Sequence, residues 1–392
     1  MTDTPSTADR LAKYTNIDAD AERAATAETF DRDTDPLAAF EAGMRGRRPF
    51  AAFVAEVLLP DDPAPGTLED YTRTFEQWEE FMAEHGRHPA CPSEAMVRAF
   101  IRHRIDDVGN TGETARSKVR QLRRAYRYWQ DDAAYPHPTD FDPFSLALEK
   151  ERFGDAGEPL KPPRIPIPTL RAHVGRLTHI RDRAIVVTML KLGLRSGELC
   201  NMELRDVNLT HSGLREHYPE LGSHPALADY QAENAVYIPS RYERDGNKSK
   251  RARLMPLDDE LERLLRRWLL IRPDDGEPWV FLSKGNHKKL DSDKDPTRLW
   301  KEAFHPEFDG SDGRSRPVTS HYGRHRFTTW WTVEMDTNRE LVKYMRGDVL
   351  DEEATHREAI DAYVHTYYED IRDVYLGRIF RLDGPAANPE VA

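Results

Sequence analysis

The sequence predicts a mainly α protein with a small β-sheet (α+β), built as a helical domain followed by a mixed α/β domain. Three observations predict it. Helical periodicity repeats three times before Asp131, prolines crowd the stretch from Pro136 to Pro168, and beyond it apolar helices alternate with two short strand-like runs.

Taken in order, the first residues are rich in Asp, Ala and Thr with weak periodicity, so 1–46 is expected to be a mobile tail or one loosely docked helix. From Thr67 the stripe Leu68, Tyr71, Phe75, Trp78, Met82 predicts an amphipathic helix ended by Gly86. Ser93 is placed to cap a second helix carrying Val97, Phe100, Ile101 and Ile105, closed by Gly109. A third begins near Thr111. Its apolar seam is Val119, Leu122, Tyr126 and Trp129, while Arg116, Arg120, Arg123, Arg124 and Arg127 share another face, either a ridge for phosphates or simply a solvated surface.

The proline-rich stretch predicts an extended connector with a short helix around Leu146 to Glu151. The expected boundaries are therefore a tail over 1–46, a helical domain over 47–148, a linker over 149–164, a second domain over 165–383 and a tail over 384–392. In the second domain, Ala184 to Leu192 reads as a buried helix stopped by Gly193. Val207 to Leu209 reads as a strand, and AVYIPS with RARLMPL as a hairpin around DGN. Residues 211–232 read as a surface excursion.

Length and composition narrow the class. A chain of 392 residues suffices for two cores. Two cysteines, Cys91 and Cys200, make neither a disulfide framework nor a zinc knuckle, so a reducing compartment and a metal-free, cofactor-free fold are expected. The N-terminus lacks a signal-peptide pattern and no run approaches a membrane span, which predicts a cytoplasmic protein. Acidic residues outnumber basic ones, 69 to 57, for a net charge of −12. Phosphate contacts are local, so a clustered basic face still permits DNA binding. The Asp surplus, with many Arg and few Lys, resembles the composition of a salt-adapted organism such as a haloarchaeon.

Four pieces of the second half carry cations or a nucleophile. The segment LKLGLRSGELCNMELRDV contains R-x-x-E-L at Arg195; NKSKRARLMPL places Lys248 eight residues before Pro256; SHYGRHRFTTW contains H-x-x-R-H at His321 and Arg324; AIDAYVHTY contains Tyr363. In this order and spacing they resemble the tyrosine recombinase (phage integrase) family, over roughly residues 165–383. The helical domain before them matches in architecture, as a core-binding domain. The resemblance implies double-stranded DNA as partner, a homotetramer on DNA, and strand cutting and rejoining through a 3′-phosphotyrosine formed by Tyr363.

The chemistry suits those residue types. Attack on a phosphodiester puts charge on two non-bridging oxygens, and arginine meets it with a planar fork that stays protonated, hence Arg195 and Arg324. Lys248, among Lys250, Arg251 and Arg253, is placed to protonate the leaving 5′-oxygen, its pKa open to lowering by like charges. His321, three residues before Arg324 on a helix, is placed to take the tyrosine proton. Glu198 is expected to hold nearby backbone or His321. No metal is required.

One position departs from the family. Where most members carry a histidine or tryptophan after L-G, this chain has Asp348 in YMRGDVL. Three readings stay open: Asp348 turns away to orient Arg346, His356 or His365 supplies the missing donor, or the site is weakened. Each motif alone is common on surfaces, and Tyr363 stands in a helical stripe with Tyr367, Tyr368 and Tyr375 as rival nucleophiles. Two further functions therefore stand beside the recombinase: a relaxing topoisomerase of the type IB kind, and a DNA-binding protein of the same fold with weakened chemistry.

Overall fold

The computed structural model describes residues 18–61, 63, 65–153, 160–230, 232–273, 276–348 and 368–383. The chain parts between Pro159 and Leu160 into two compact units, each with its own core.

The first unit holds α1 (Ala19–Thr29), α2 (Pro65–Glu84), α3 (Glu94–Arg102), α4 (Gly112–Asp131) and α5 (Pro143–Lys150). The Ser93 cap is the one the sequence predicts, and Thr111 caps the third helix. Ser93 Oγ accepts the Met96 N–H at 3.3 Å and Thr111 Oγ1 the Thr114 N–H at 3.2 Å, each satisfying a donor that the first helical turn leaves unpaired. The core is aromatic. Phe50 stacks on Phe75 with centroids 4.0 Å apart and Trp78 meets Phe100 edge-on at 5.0 Å. Both buried indoles find carbonyls, Trp78 at Pro89 and Trp129 at Pro49, so their area is buried without stranding an N–H. Truncating either to Ala would cost about 3–5 kcal/mol.

The expected tail reaches into this core. Leu37 is fully buried there and Met44 nearly so, both ahead of residue 47, because a cluster of large aromatic rings needs aliphatic side chains to fill its edges. The short helix predicted at Leu146 to Glu151 starts earlier, at Pro143, where Asp142 Oδ1 caps the Ser145 N–H.

The second unit contains α6 (Ile167–Arg176), α7 (Ile180–Leu192), α8 (Ser196–Cys200), α9 (Ser212–His217), α10 (Pro225–Asp229), α11 (Asp259–Leu269), α12 (Asp295–Phe304), α13 (His321–Thr329), α14 (Arg339–Arg346) and α15 (Tyr368–Arg378). Its strands β1 (Val207–Asn208), β2 (Ala235–Ile238) and β3 (Arg253–Pro256) form an antiparallel sheet in that order, with Val207 opposite Val236 and Tyr237 opposite Leu254. The β2–β3 connection is a long loop rather than a tight turn.

Helix α7 is the axis of this unit. It is buried from Ala184 to Leu192 and apolar there apart from Thr188 and Lys191, as suits a helix enclosed on every side. Ile165, where the second domain was expected to begin, is buried and its N–H donates to Tyr322 Oη at 3.2 Å. One expectation changes here. Residues 211–232 are not merely a surface excursion, since Leu214, Tyr218 and Leu221 enter the core. Both cysteines are free and buried. Among the described residues no helix is long and apolar enough to cross a membrane.

Candidate active site

The site is assembled where α7 stops. Gly193 ends the helix at φ +62°, the left-handed turn that glycine adopts without strain, and delivers Arg195 to the start of α8. Glu198 Oε2 accepts the Arg195 N–H at 2.8 Å, which fixes the backbone from which the guanidinium projects. Arg195 Nη1 then donates to Ser249 Oγ at 2.6 Å.

Glu198 is the buried hub beneath it. Arg253 Nη1 and Nη2 donate to its two oxygens at 3.1 and 3.2 Å, and the Ser249 hydroxyl donates to Oε1. Burial alone would raise the Glu198 pKa, but Arg253, then Arg324 and Ser249, outweigh it and bring it down to about 2. The sequence reading that Glu198 holds backbone agrees with this geometry; its hydrogen bonds run to Arg195, Ser249 and Arg253 rather than to His321. Arg253 does not belong with the exposed basic loop either. It is fully buried, and the alternation of β3 puts it on the same side as the core residue Met255, a signal that was present in the sequence.

Arg324 rises from α13 and is 3% exposed, so its donors must find partners inside the protein. Nη1 donates to the Gly193 carbonyl at 2.9 Å, and Nη2 to the Arg346 carbonyl and to Asp348 Oδ1, both at 2.9 Å. Desolvation, then repulsion from Arg195, with Arg253 and Arg346 adding to it against the pull of Glu198, lowers its pKa to about 9, which leaves it protonated at neutral pH. Arg195 Nη2 lies 3.5 Å from the same Asp348 oxygen, and Arg346 Nε lies 2.8 Å from the other. Asp348 is thus not turned away. It does engage Arg346, and it also stands between the two arginines assigned to phosphate.

Lys248 and Lys250 are exposed on the β2–β3 loop and, with Arg195, Arg346 and Asp348, line an open cleft of about 470 Å³. Arg251 packs its guanidinium over the Tyr344 ring at 5.1 Å. His321 opens α13 one turn before Arg324, and the Ser196 hydroxyl bonds the neighbouring Ser320 at 2.9 Å, joining α8 to α13. Although solvent reaches its ring, desolvation, then His325, Arg324, Arg195 and Arg346, hold its pKa below the usual imidazole value. Tyr363, His356, His365 and Tyr367 lie outside the described residues. Two rival tyrosines are core residues: Tyr368 is buried, and Tyr375 donates to the Lys191 carbonyl at 2.9 Å.

In the first unit the arginines of α4 share a face, but three of them serve that unit itself. Arg116 lies 4.5 Å over the Phe153 ring, Arg123 donates to Asp142 at 2.7 Å, and Arg124 to Asp61 at 2.7 Å. Arg120 is exposed and 3.4 Å from Glu113, and Arg127 is exposed.

Residues 168–347, which span Arg195, Lys248, His321 and Arg324, match the phage integrase family. This likeness to the phage integrase family lies wholly within the second unit. The fold is also that of solved integrases. The Tn1549 transposon integrase in complex with a circular intermediate DNA has a TM-score of 0.56 at 15% identity, covering 82% of this chain and 96% of that one. A lambda integrase dimer bound to a COC′ core site gives 0.50 at 14% identity, covering 77% and 91%. No curated protein sequence matches the chain. The matched stretch ends at Gly347, one residue before the aspartate that faces Arg195 and Arg324.

Proposed function

We propose that this protein is a site-specific DNA recombinase that cuts and rejoins DNA strands through a 3′-phosphotyrosine on Tyr363. One observation carries the reading: Arg195 and Arg324, 129 positions apart on different helices, bring guanidinium nitrogens to 3.5 and 2.9 Å of a single oxygen, Asp348 Oδ1. Donors that converge on one carboxylate oxygen can converge on one phosphate. Arg195 and Arg324 hold the non-bridging oxygens, Lys248 protonates the leaving 5′-oxygen, and His321 takes the proton of Tyr363. The bond energy is stored in the phosphotyrosine, so no external energy source is needed.

Double-stranded DNA is the substrate, Arg120, Arg127, Lys250 and Arg251 are its contacts, and the working form is a homotetramer in the cytoplasm. The acidic composition marks salt adaptation, so DNA binding is expected to persist at molar salt, where counterion release no longer drives a conventional basic protein; loss of binding there would refute the adaptation.

The deciding experiment incubates the protein and its Tyr363→Phe variant with nicked suicide substrates and resolves the products on a denaturing gel. An adduct with the wild type alone establishes strand transfer and its nucleophile. Asp348 favours a second reading, a DNA-binding protein of weakened chemistry, which predicts binding without an adduct from either protein.

A further inference from the structure

We propose that Asp348 is a built-in counter-ion that fills the anion seat of the empty site, and that a phosphate binds by exchanging with it. The inference rests on reading the arginine cluster as a phosphate site. It begins with how firmly Asp348 is placed. Helix α14 ends at Gly347 with φ +67°, and the Asp348 N–H donates to the Lys343 carbonyl at 3.0 Å, so the backbone turns the carboxylate back toward the cluster. A side chain at 347 is excluded, because a Cβ there would lie 2.5 Å from Arg253 Nη1 and 2.8 Å from the Arg251 carbonyl.

The charges facing Asp348 come from three elements, Arg195 at the start of α8, Arg324 on α13 and Arg346 at the end of α14. Beneath them Arg253 is matched by Glu198 in the buried ion pair. Among the described residues those three guanidiniums therefore have Asp348 as their close carboxylate, apart from the 3.6 Å approach of Arg195 to Glu198. Asp348 uses both oxygens on them, as a phosphate would use two of its own. A phosphate and an ionised Asp348 cannot share one set of donors a few ångströms apart without strong repulsion. One must leave. Asp348 is 27% exposed on the open side of the cleft, so its carboxylate can rotate to water while Arg324, buried, stays in place.

The test titrates inorganic phosphate into the full-length protein by calorimetry at fixed ionic strength, comparing wild type with Asp348→Asn. The amide keeps the shape and removes the charge, so phosphate should bind on the order of tenfold tighter. The gain should vanish when Arg324→Lys is added, which ties it to this seat. Equal or weaker binding by Asp348→Asn would overturn the proposal, because a carboxylate that merely braces the arginines helps binding. Should Asp348→Asn not fold, as judged by its circular dichroism melt, Asp348→Ser serves in the same titration. The adduct assay separates this from the reading it rests on. A phosphate gain without any adduct keeps the counter-ion and removes the recombinase; an adduct without a phosphate gain does the reverse.

Discussion

Glu198 and Arg253 meet through two N–H···O contacts of 3.1 and 3.2 Å with both side chains fully buried. An ion pair so enclosed ties stability to proton binding. The Glu198 pKa falls from the ordinary 4.5 to about 2, so its contribution is complete above pH 4.5 and is lost as the pH falls through 2. The difference corresponds to about 3 kcal/mol. Urea unfolding between pH 6 and pH 2 should show that slope in the wild type. Glu198→Gln should be less stable at neutral pH by about 3–5 kcal/mol, since it strands the Arg253 charge, and should lack that part of the slope. Parallel curves would mean that Glu198 is not the group responsible.

Arg324→Lys removes the fork that reaches the Gly193 and Arg346 carbonyls and Asp348 together. Lysine keeps the charge but has one nitrogen for those places. Single-turnover adduct formation should slow by roughly 10²–10³-fold. A loss below tenfold would show that charge alone suffices at this position.

His321 is held below the ordinary imidazole pKa of 6.5, first by desolvation and then by His325 and the arginines. It is therefore neutral at pH 7 and able to accept a proton. Adduct formation should be level near neutral pH and fall only on acidification below 6.5. His321→Asn should be slow throughout and lose this acid limb. A variant that keeps the limb would assign the base elsewhere.

Lys191, fully buried at the end of α7, is paired with Asp258 at 2.5 Å and Glu260 at 2.7 Å. Lys191→Met leaves two carboxylates together without a cation, a change worth about 3–5 kcal/mol. A calorimetric scan should show the lower melting temperature, and an unchanged melt would mean that the pair takes up a proton at little cost.

The helices of the first unit were legible because burial imprints itself on periodicity and a cap can announce itself locally, as at Ser93. Arg195 and Arg324, which converge on Asp348, could be placed side by side because motif order survives in one dimension. What supports them could not. Ser249 reaches Glu198 from the β2–β3 loop and Arg253 from β3, 51 and 55 positions along the chain, and nothing in one dimension pairs them, although the alternation of β3 marked Arg253 as inward-facing. The α4 ridge shows the converse. Its spacing was correct, yet partners such as Asp61 and Asp142 lie too far along the chain to be read against it.

The last described stretch of chain is geared to the interior. The Leu382 N–H rests on Glu260, which shares Lys191 with Asp258, while Tyr375 grips the Lys191 carbonyl. Lys191 stands four positions before Arg195, across the Gly193 turn that ends α7. The end of α7, where the chain turns at Gly193 toward Arg195, is thus clasped from the far end of the described chain.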